Sequence, residues 1–226
     1  MPGTPSPADA AGSPHQMVLT ADQRRSRTGP DAVPQALDLL AGVPTHGGFE
    51  RTAGDEIQGL LRGPEDLAPA VETLLRDGRW SIGIGIGAVQ HPLPTDPRAG
   101  RGPAFVSARE AVTAAKGAPW HLRVVGAGPA VEHLESALWL WAALLGRRTA
   151  KGWEVADLLA EGLSHEAVGA RLGITQSAVS QRAATAGLVE GRRARALVSA
   201  LAAAAVHHEE VHGTVGGLRQ DGPHES

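Results

Sequence analysis

The residues best suited to chemistry fall in one string near the C-terminus, Ser164-His-Glu-Ala-Val-Gly-Ala-Arg-Leu-Gly-Ile-Thr-Gln-Ser-Ala-Val-Ser-Gln-Arg182. Its second half brings together Thr175, Gln176, Ser177, Ser180, Gln181 and Arg182, with no Asp or Glu among them. Hydroxyls and side-chain amides of this kind suit base edges in a major groove, and Arg182 and Arg171 suit phosphates. A carboxylate in the same place would repel the nucleic-acid backbone.

Such side chains need helices to hold them, and the flanking residues supply these. Trp153–Ala160 has the pattern of a short helix, ended by Gly162. Ser164 is a good N-cap for the next helix, whose apolar stripe is Ala167, Val168 and Leu172. Gly173 permits a tight turn, Ile174 is a buried plug, and Thr175 caps a third helix running to about Ala186. Ala167 is small where the two helices are expected to cross, and Val179 is the inward residue of the last helix. These are the parts of a helix-turn-helix, and double-stranded DNA is the partner they imply. The competing reading is a plain helical bundle with an Ala-rich hairpin.

Charge favours the first reading. From Gly146 to Ala200 there are eight Lys/Arg against five Asp/Glu, a balance of +3 in a chain of formal charge −3. The remainder therefore carries −6, so one part of the chain is suited to phosphate and the other is not. Beyond this unit, Gly191-Arg-Arg-Ala-Arg195 opens an apolar helix, Ala196–Val206. Its arginines either touch phosphate or stand solvated. The helix itself needs a partner, either Leu134–Leu145 of the same chain or a second copy, and an operator with two half-sites favours a homodimer. His207-His-Glu-Glu-Val-His212 offers metal-ligand spacings but falls where a polar tail is expected, and reads as inert.

The first half of the chain reads differently. Residues 1–15 are a Pro-rich leader without apolar periodicity. Gln16–Ala21 reads as a buried strand and Asp31–Leu40 as a helix. Gly48–Ala53 and Ile57–Leu61 read as a hairpin with its tip at Asp55, and Pro64–Leu75 as a second helix. Trp80–Val89 alternates Ile82, Ile84 and Ile86 with Gly83, Gly85 and Gly87, a strand whose bare face admits a helix, another backbone or a ligand. Pro103–Lys116 reads as a third helix and Trp120–Val125 as a closing strand. The order β-α-β-β-α-β-α-β predicts an α/β (α+β) fold, a ferredoxin-like or palm-type sheet followed by an all-α helix-turn-helix domain. The expected domains are 16–126 and 127–207, parted at Gly126–Pro129, with the helix-turn-helix at about 153–187 and a flexible tail at 208–226.

Composition narrows the classes. The chain has no Cys, which removes disulfides, thiolate metal sites and Cys nucleophiles together. No apolar run reaches the roughly 18–20 residues of a membrane span, because Glu132, His133 and Glu135 interrupt the nearest, Ala130–Leu145. The N-terminus lacks a basic start and an apolar stretch, so a signal peptide is not expected. A cytoplasmic protein without a membrane partner is expected.

Three strings together resemble the SatD family of bacterial proteins, whose members often end in a helix-turn-helix. They are Leu19-Thr-Ala-Asp-Gln-Arg-Arg-Ser-Arg27, Arg51-Thr-Ala-Gly-Asp-Glu-Ile-Gln-Gly-Leu-Leu61, and Ile84-Gly-Ile-Gly87 followed by Gly102-Pro-Ala-Phe-Val-Ser-Ala-Arg-Glu-Ala111. The likeness spans roughly residues 16–190. More remotely, the same strings are similar to the palm domains of GGDEF-type and class III nucleotide cyclases. In those enzymes one carboxylate ends the first strand and another sits on the central hairpin, and both hold Mg²⁺ against a nucleoside triphosphate. The resemblance implies Asp22 and Asp55 as the Mg²⁺ ligands, Glu56 beside the second, and Lys116 as the cation that meets phosphate.

The departures bear on turnover. Ala53 stands where the hairpin's first glycine is expected, and the first strand has one carboxylate where the enzymes have two. Gln23-Arg-Arg-Ser-Arg27 replaces their base-recognition stretch, and Arg109 and Thr113 replace the Asp and Tyr of their last helix. Without the resemblance, Asp55 and Glu56 are what any Gly-Asp turn offers, and Lys116 suits the end of a helix through its dipole alone. The sequence therefore points first to a DNA-binding regulator with a sensing or scaffold domain. The alternative is an Mg-dependent nucleotide-binding or cyclase-like protein.

Overall fold

The computed structural model describes residues 15–52, 54–90, 92–93 and 100–216, with side chains as far as residue 207. Ala53, the leader before residue 15 and the side chains of residues 208–212 lie outside the described residues. In chain order the elements are β1 (His15–Gln23), α1 (Val33–Leu40), β2 (Thr45–Arg51), β3 (Glu56–Leu61), α2 (Leu67–Asp77) and β4 (Trp80–Ala88). There follow α3 (Pro103–Ala115), β5 (Leu122–Val125), α4 (Pro129–Leu145), α5 (Ala150–Ala160), α6 (His165–Leu172), α7 (Gln176–Thr185) and α8 (Leu188–Gly216). The fold is mixed α/β of the α+β kind. Its sheet runs β2-β3-β1-β4-β5, antiparallel except between β4 and β5.

The alternation of β4 decides which layer lies on which face. Ile82, Ile84 and Ile86 are buried on one side. On the other, a Cβ at Gly83 would stand 2.1 Å from the backbone nitrogen of Val112, and one at Gly85 2.2 Å from the carbonyl oxygen of Ala104. Of the three occupants a bare strand face admits, a helix is the one found: α3 lies backbone-to-backbone on the glycines. Its Ala104, Phe105 and Ala108 close a small cluster with Val18, Leu60 and Val89.

The opposite face carries the main core. Met17, Leu19, Ile57 and the β4 isoleucines pack under Val33, Ala36 and Leu40 of α1 and Leu67, Val71 and Leu74 of α2. Val131, Leu134, Leu138 and Trp141 of α4 belong to the same cluster, as do Val198, Ala202 and Ala205 of α8. The last three recur at i, i+4 and i+7, one face of a helix. The hydrophobic packing therefore runs across Gly126–Pro129, the expected boundary. Of the two partners expected for the apolar helix, α4 of the same chain is the one observed, so its burial needs no second copy.

Helices α5–α7 have a core of their own, built on Val155, Leu158, Val168 and Val179. They form an excursion whose two ends, α4 and α8, are both rooted in the sheet's core.

Some elements differ from expectation. The second helix opens with a short 3-10 turn at Pro64–Asp66, and β2 begins at Thr45 with an irregular register between His46 and Glu50. The closing strand starts at Leu122, because Trp120 and His121 adopt left-handed backbone angles, φ 57° and 50°. Helix α8 continues to Gly216, into the stretch expected as a tail. No helix among the described residues is long and apolar enough to cross a membrane.

Candidate functional site

Helices α6 and α7 meet across Gly173-Ile174-Thr175, and each part of the joint has a local cause. The Ser164 hydroxyl accepts the Ala167 N–H and the Thr175 hydroxyl accepts the Ala178 N–H, both at 3.1 Å, so both N-termini are capped. Gly173 ends α6 at φ 65°, and the Ile174 N–H then returns to the Gly169 carbonyl at 3.0 Å. Ala167, expected where the helices cross, is exposed instead. Gly169 is the small residue there, since a Cβ on it would lie 2.8 Å from the Ile174 carbonyl oxygen. The readable signal was a second glycine one helical turn before the turn glycine. Ile174 is half-buried where full burial was expected, and Val179 is fully buried against the α5–α6 core.

With Val179 inward, α7 turns Gln176, Ser177, Ser180 and Gln181 to solvent. Arg182 is half-buried on its flank. Arg171 is exposed on α6, with a guanidinium nitrogen 3.8 Å from the Glu161 carboxylate. The polar ridge stands between two concavities. One, of about 1100 Å³, runs from Gln176 and Ser180 across to α2. The other, of about 240 Å³, lies beside Gln181 and Arg182 and is closed by Arg147 and Thr149.

What fixes α7 to the sheet was not legible in the sequence. The Arg148 side chain is only 6% exposed. Its Nε donates to the Ala186 carbonyl at 2.8 Å, and its guanidinium lies over the Trp153 ring, 4.6 Å from the centroid. Burial pulls its pKa below the usual arginine range, and Glu72 at 3.7 Å opposes that pull. Arg76 on α2 also lies over Trp153, at 4.5 Å, and donates two bonds of 2.8 Å to the Asp157 carboxylate. That bonding raises the Arg76 pKa. Arg195 on α8 completes the joint with a 2.9 Å bond to Glu72.

The carboxylates gather at one end of the sheet. Asp22 on β1 stands in register with Glu56 on β3 and with Ser81 on β4. Alternation puts Asp22 and Glu56 on the face of Val18 and Leu60, the face that α3 covers. Lys116, just past the end of α3, reaches Asp22 at 3.1 Å, and the Thr52 hydroxyl donates to Glu56 at 2.6 Å. Asp55 is one residue out of phase at the hairpin tip, where its carbonyl accepts the Gln23 N–H at 3.1 Å. The register partner of Asp22 is thus Glu56 and not Asp55, and Lys116 neutralises the carboxylate itself. Among the described residues no group of three or more His, Asp or Glu is arranged to hold a metal ion. Gln23 is buried and works structurally: its amide donates to the Pro30 carbonyl and accepts the Ala32 N–H, both at 2.8 Å.

Compared with known proteins, the chain finds no matching family model, no similar curated protein and no similar solved structure.

Proposed function

We propose that the chain is a double-stranded-DNA-binding regulator. On this reading α6 and α7 are a helix-turn-helix, and the ferredoxin-like or palm-type sheet with α4 and α8 is the sensing or scaffold domain that carries it. The observation that supports it most is the ridge of α7. Gln176, Ser177, Ser180 and Gln181 are exposed together on a capped helix without a single carboxylate, across a turn tight enough to need Gly169. The SatD-like strings agree with this reading, and a cytoplasmic setting is part of the proposal. A homodimer on a two-half-site operator is part of the proposal, with a surface other than the buried face of α8 as its contact.

The test is a gel shift of the full chain with genomic DNA fragments at low salt. The full chain is required because α4 and α8 complete the sheet's core, so a fragment cut at Gly128 would lose that support. Retarded fragments that shrink to one protected sequence support the reading. Free migration of every fragment removes it.

The nucleotide reading, with Mg²⁺ at Asp22 and Asp55, has one supporting observation: Asp22, Asp55 and Glu56 lie at the same end of the sheet. Against it stands the engagement of Asp22 by Lys116.

A further inference from the structure

The two flanks of α7 differ in whether their cations are matched by carboxylates. The larger concavity carries three carboxylates, Glu72, Asp157 and Glu166, and four arginines, Arg76, Arg148, Arg192 and Arg195. Its cations Arg76 and Arg195 are held by Asp157 and Glu72, and Arg148 is buried against Trp153. With Glu166 set against the remaining Arg192, a phosphate strand brought along that side would meet α2 and no surplus of free cations. The smaller concavity has no acid in its lining, and its charged residues are Arg147 and Arg182. Neither of their side chains has a hydrogen bond or ion pair with another described residue. The Thr149 hydroxyl in the same wall accepts the Gly152 N–H at 3.2 Å, which leaves its own hydrogen to donate.

We infer that Arg147, Thr149 and Arg182 form a seat for one phosphate strand of bound duplex, on the flank of α7 that faces away from α2. The inference rests on the DNA-binding reading and adds residues, Arg147 and Thr149, that lie outside the helix pair. The seat is built into the scaffold: Arg147 follows the end of α4, and the neighbouring Arg148 ties that point to Ala186. A duplex docked from this side meets Gln181, which lines the seat, before it meets Gln176, which lines the larger concavity. Gln181 is therefore the side chain set to read a base edge next to the seated phosphate.

Phosphate contacts are independent of sequence, so a labelled random-sequence duplex is a sufficient probe. Fluorescence anisotropy of the full chain across a salt series reads the slope of log K against log salt. Arg147→Ala and Arg182→Ala are each expected to lower that slope by about one, while Arg192→Ala, in the larger concavity, leaves it unchanged. Arg182 is half-buried, so its variant is checked by thermal melting; Arg147 is exposed, and Arg147→Glu gives a larger loss without touching the core. If the unaltered chain binds and the Arg147 variants keep its slope, or if Arg192→Ala alone lowers it, the seat is wrong while DNA binding stands. If the unaltered chain ignores the duplex at low salt, both readings fall.

Discussion

Arg148 and Ala186 stand 38 residues apart in sequence and are joined by a 2.8 Å bond from Nε to the carbonyl oxygen. One residue marks the entry to the α5–α7 excursion and the other its exit, so the bond closes the base of the unit. It also sets α7 against the sheet, because the same guanidinium lies over Trp153 beside Arg76 of α2.

Removing that guanidinium is predicted to cost stability. Arg148→Ala loses a charge-assisted bond in a nearly buried place and the packing on Trp153, for a loss of about 2–3 kcal/mol. Arg148→Lys is not expected to restore it, since a point charge has neither the fork nor the plane. Urea unfolding followed by tryptophan fluorescence measures both variants. Equal midpoints for all three proteins would show that the bond contributes nothing.

The crossing of α6 and α7 gives a second prediction with an internal control. Gly169→Ala drives a methyl to within 2.8 Å of the Ile174 carbonyl and is expected to destabilise the α5–α7 unit by about 1–3 kcal/mol. Ala167→Ser, on the exposed side of the same helix, is expected to change stability by less than about 0.5 kcal/mol. Differential melting of the two variants separates them. A harmless Gly169→Ala would mean that the helices cross elsewhere.

Legibility followed the range of the interactions. Caps, turn glycines and strand alternation are local, and Ser164, Thr175, Gly173 and the Ile/Gly pattern of β4 foretold their elements. Phase errors of one or two residues are harder to avoid where several small residues lie close together on one helix, which is how Ala167 stood in for Gly169. The joint between α2 and α5 could not be read at all. Arg76 and Asp157 are 81 positions apart, and nothing in either neighbourhood marks one as the other's partner. The Ala-rich α8 misled in a different way. An apolar face asks for cover, but its sequence does not say whether the cover is intramolecular.

The sheet end offers a prediction about ligands. The Lys116–Asp22 pair is 3.1 Å long, but the lysine is 56% exposed, so Lys116→Ala is expected to change stability by no more than about 1 kcal/mol. With Asp22 so engaged, ATP or GTP with Mg²⁺ is expected to leave the melting temperature unmoved. A rise that disappears in Asp22→Ala and Asp55→Ala would instead establish the nucleotide reading.

Asp66 supplies a pH prediction. Burial raises its carboxyl pKa, and the Gly63 N–H, donating at 3.1 Å, only partly counters this. A carboxyl raised in the folded state favours folding when protonated, so its contribution is complete below the unfolded pKa and fades as pH climbs through the folded one. Asp66→Asn keeps an acceptor for Gly63 without the charge. The variant is expected to be as stable as the parent or slightly more so at neutral pH, with its advantage vanishing in acid. Denaturant titrations at pH 7 and in the acid range measure it, and an advantage that grows in acid would reverse the sign.

The exposed ridge of α7 allows the sharpest separation of binding from folding. Ser177 is exposed, and no bond of its side chain supports the helix pair. Ser177→Glu therefore leaves packing intact; an acid there also sits in the first turn of α7, where the helix dipole favours it. The same carboxylate would face the duplex and repel its phosphates. Affinity for DNA is predicted to fall by about tenfold or more, equivalent to about 1.4 kcal/mol, while the melting temperature holds or rises slightly. Binding that survives Ser177→Glu at low salt would move the DNA interface off this face of α7. Loss of affinity together with a lowered melting point would mean that Ser177 supports the helix after all.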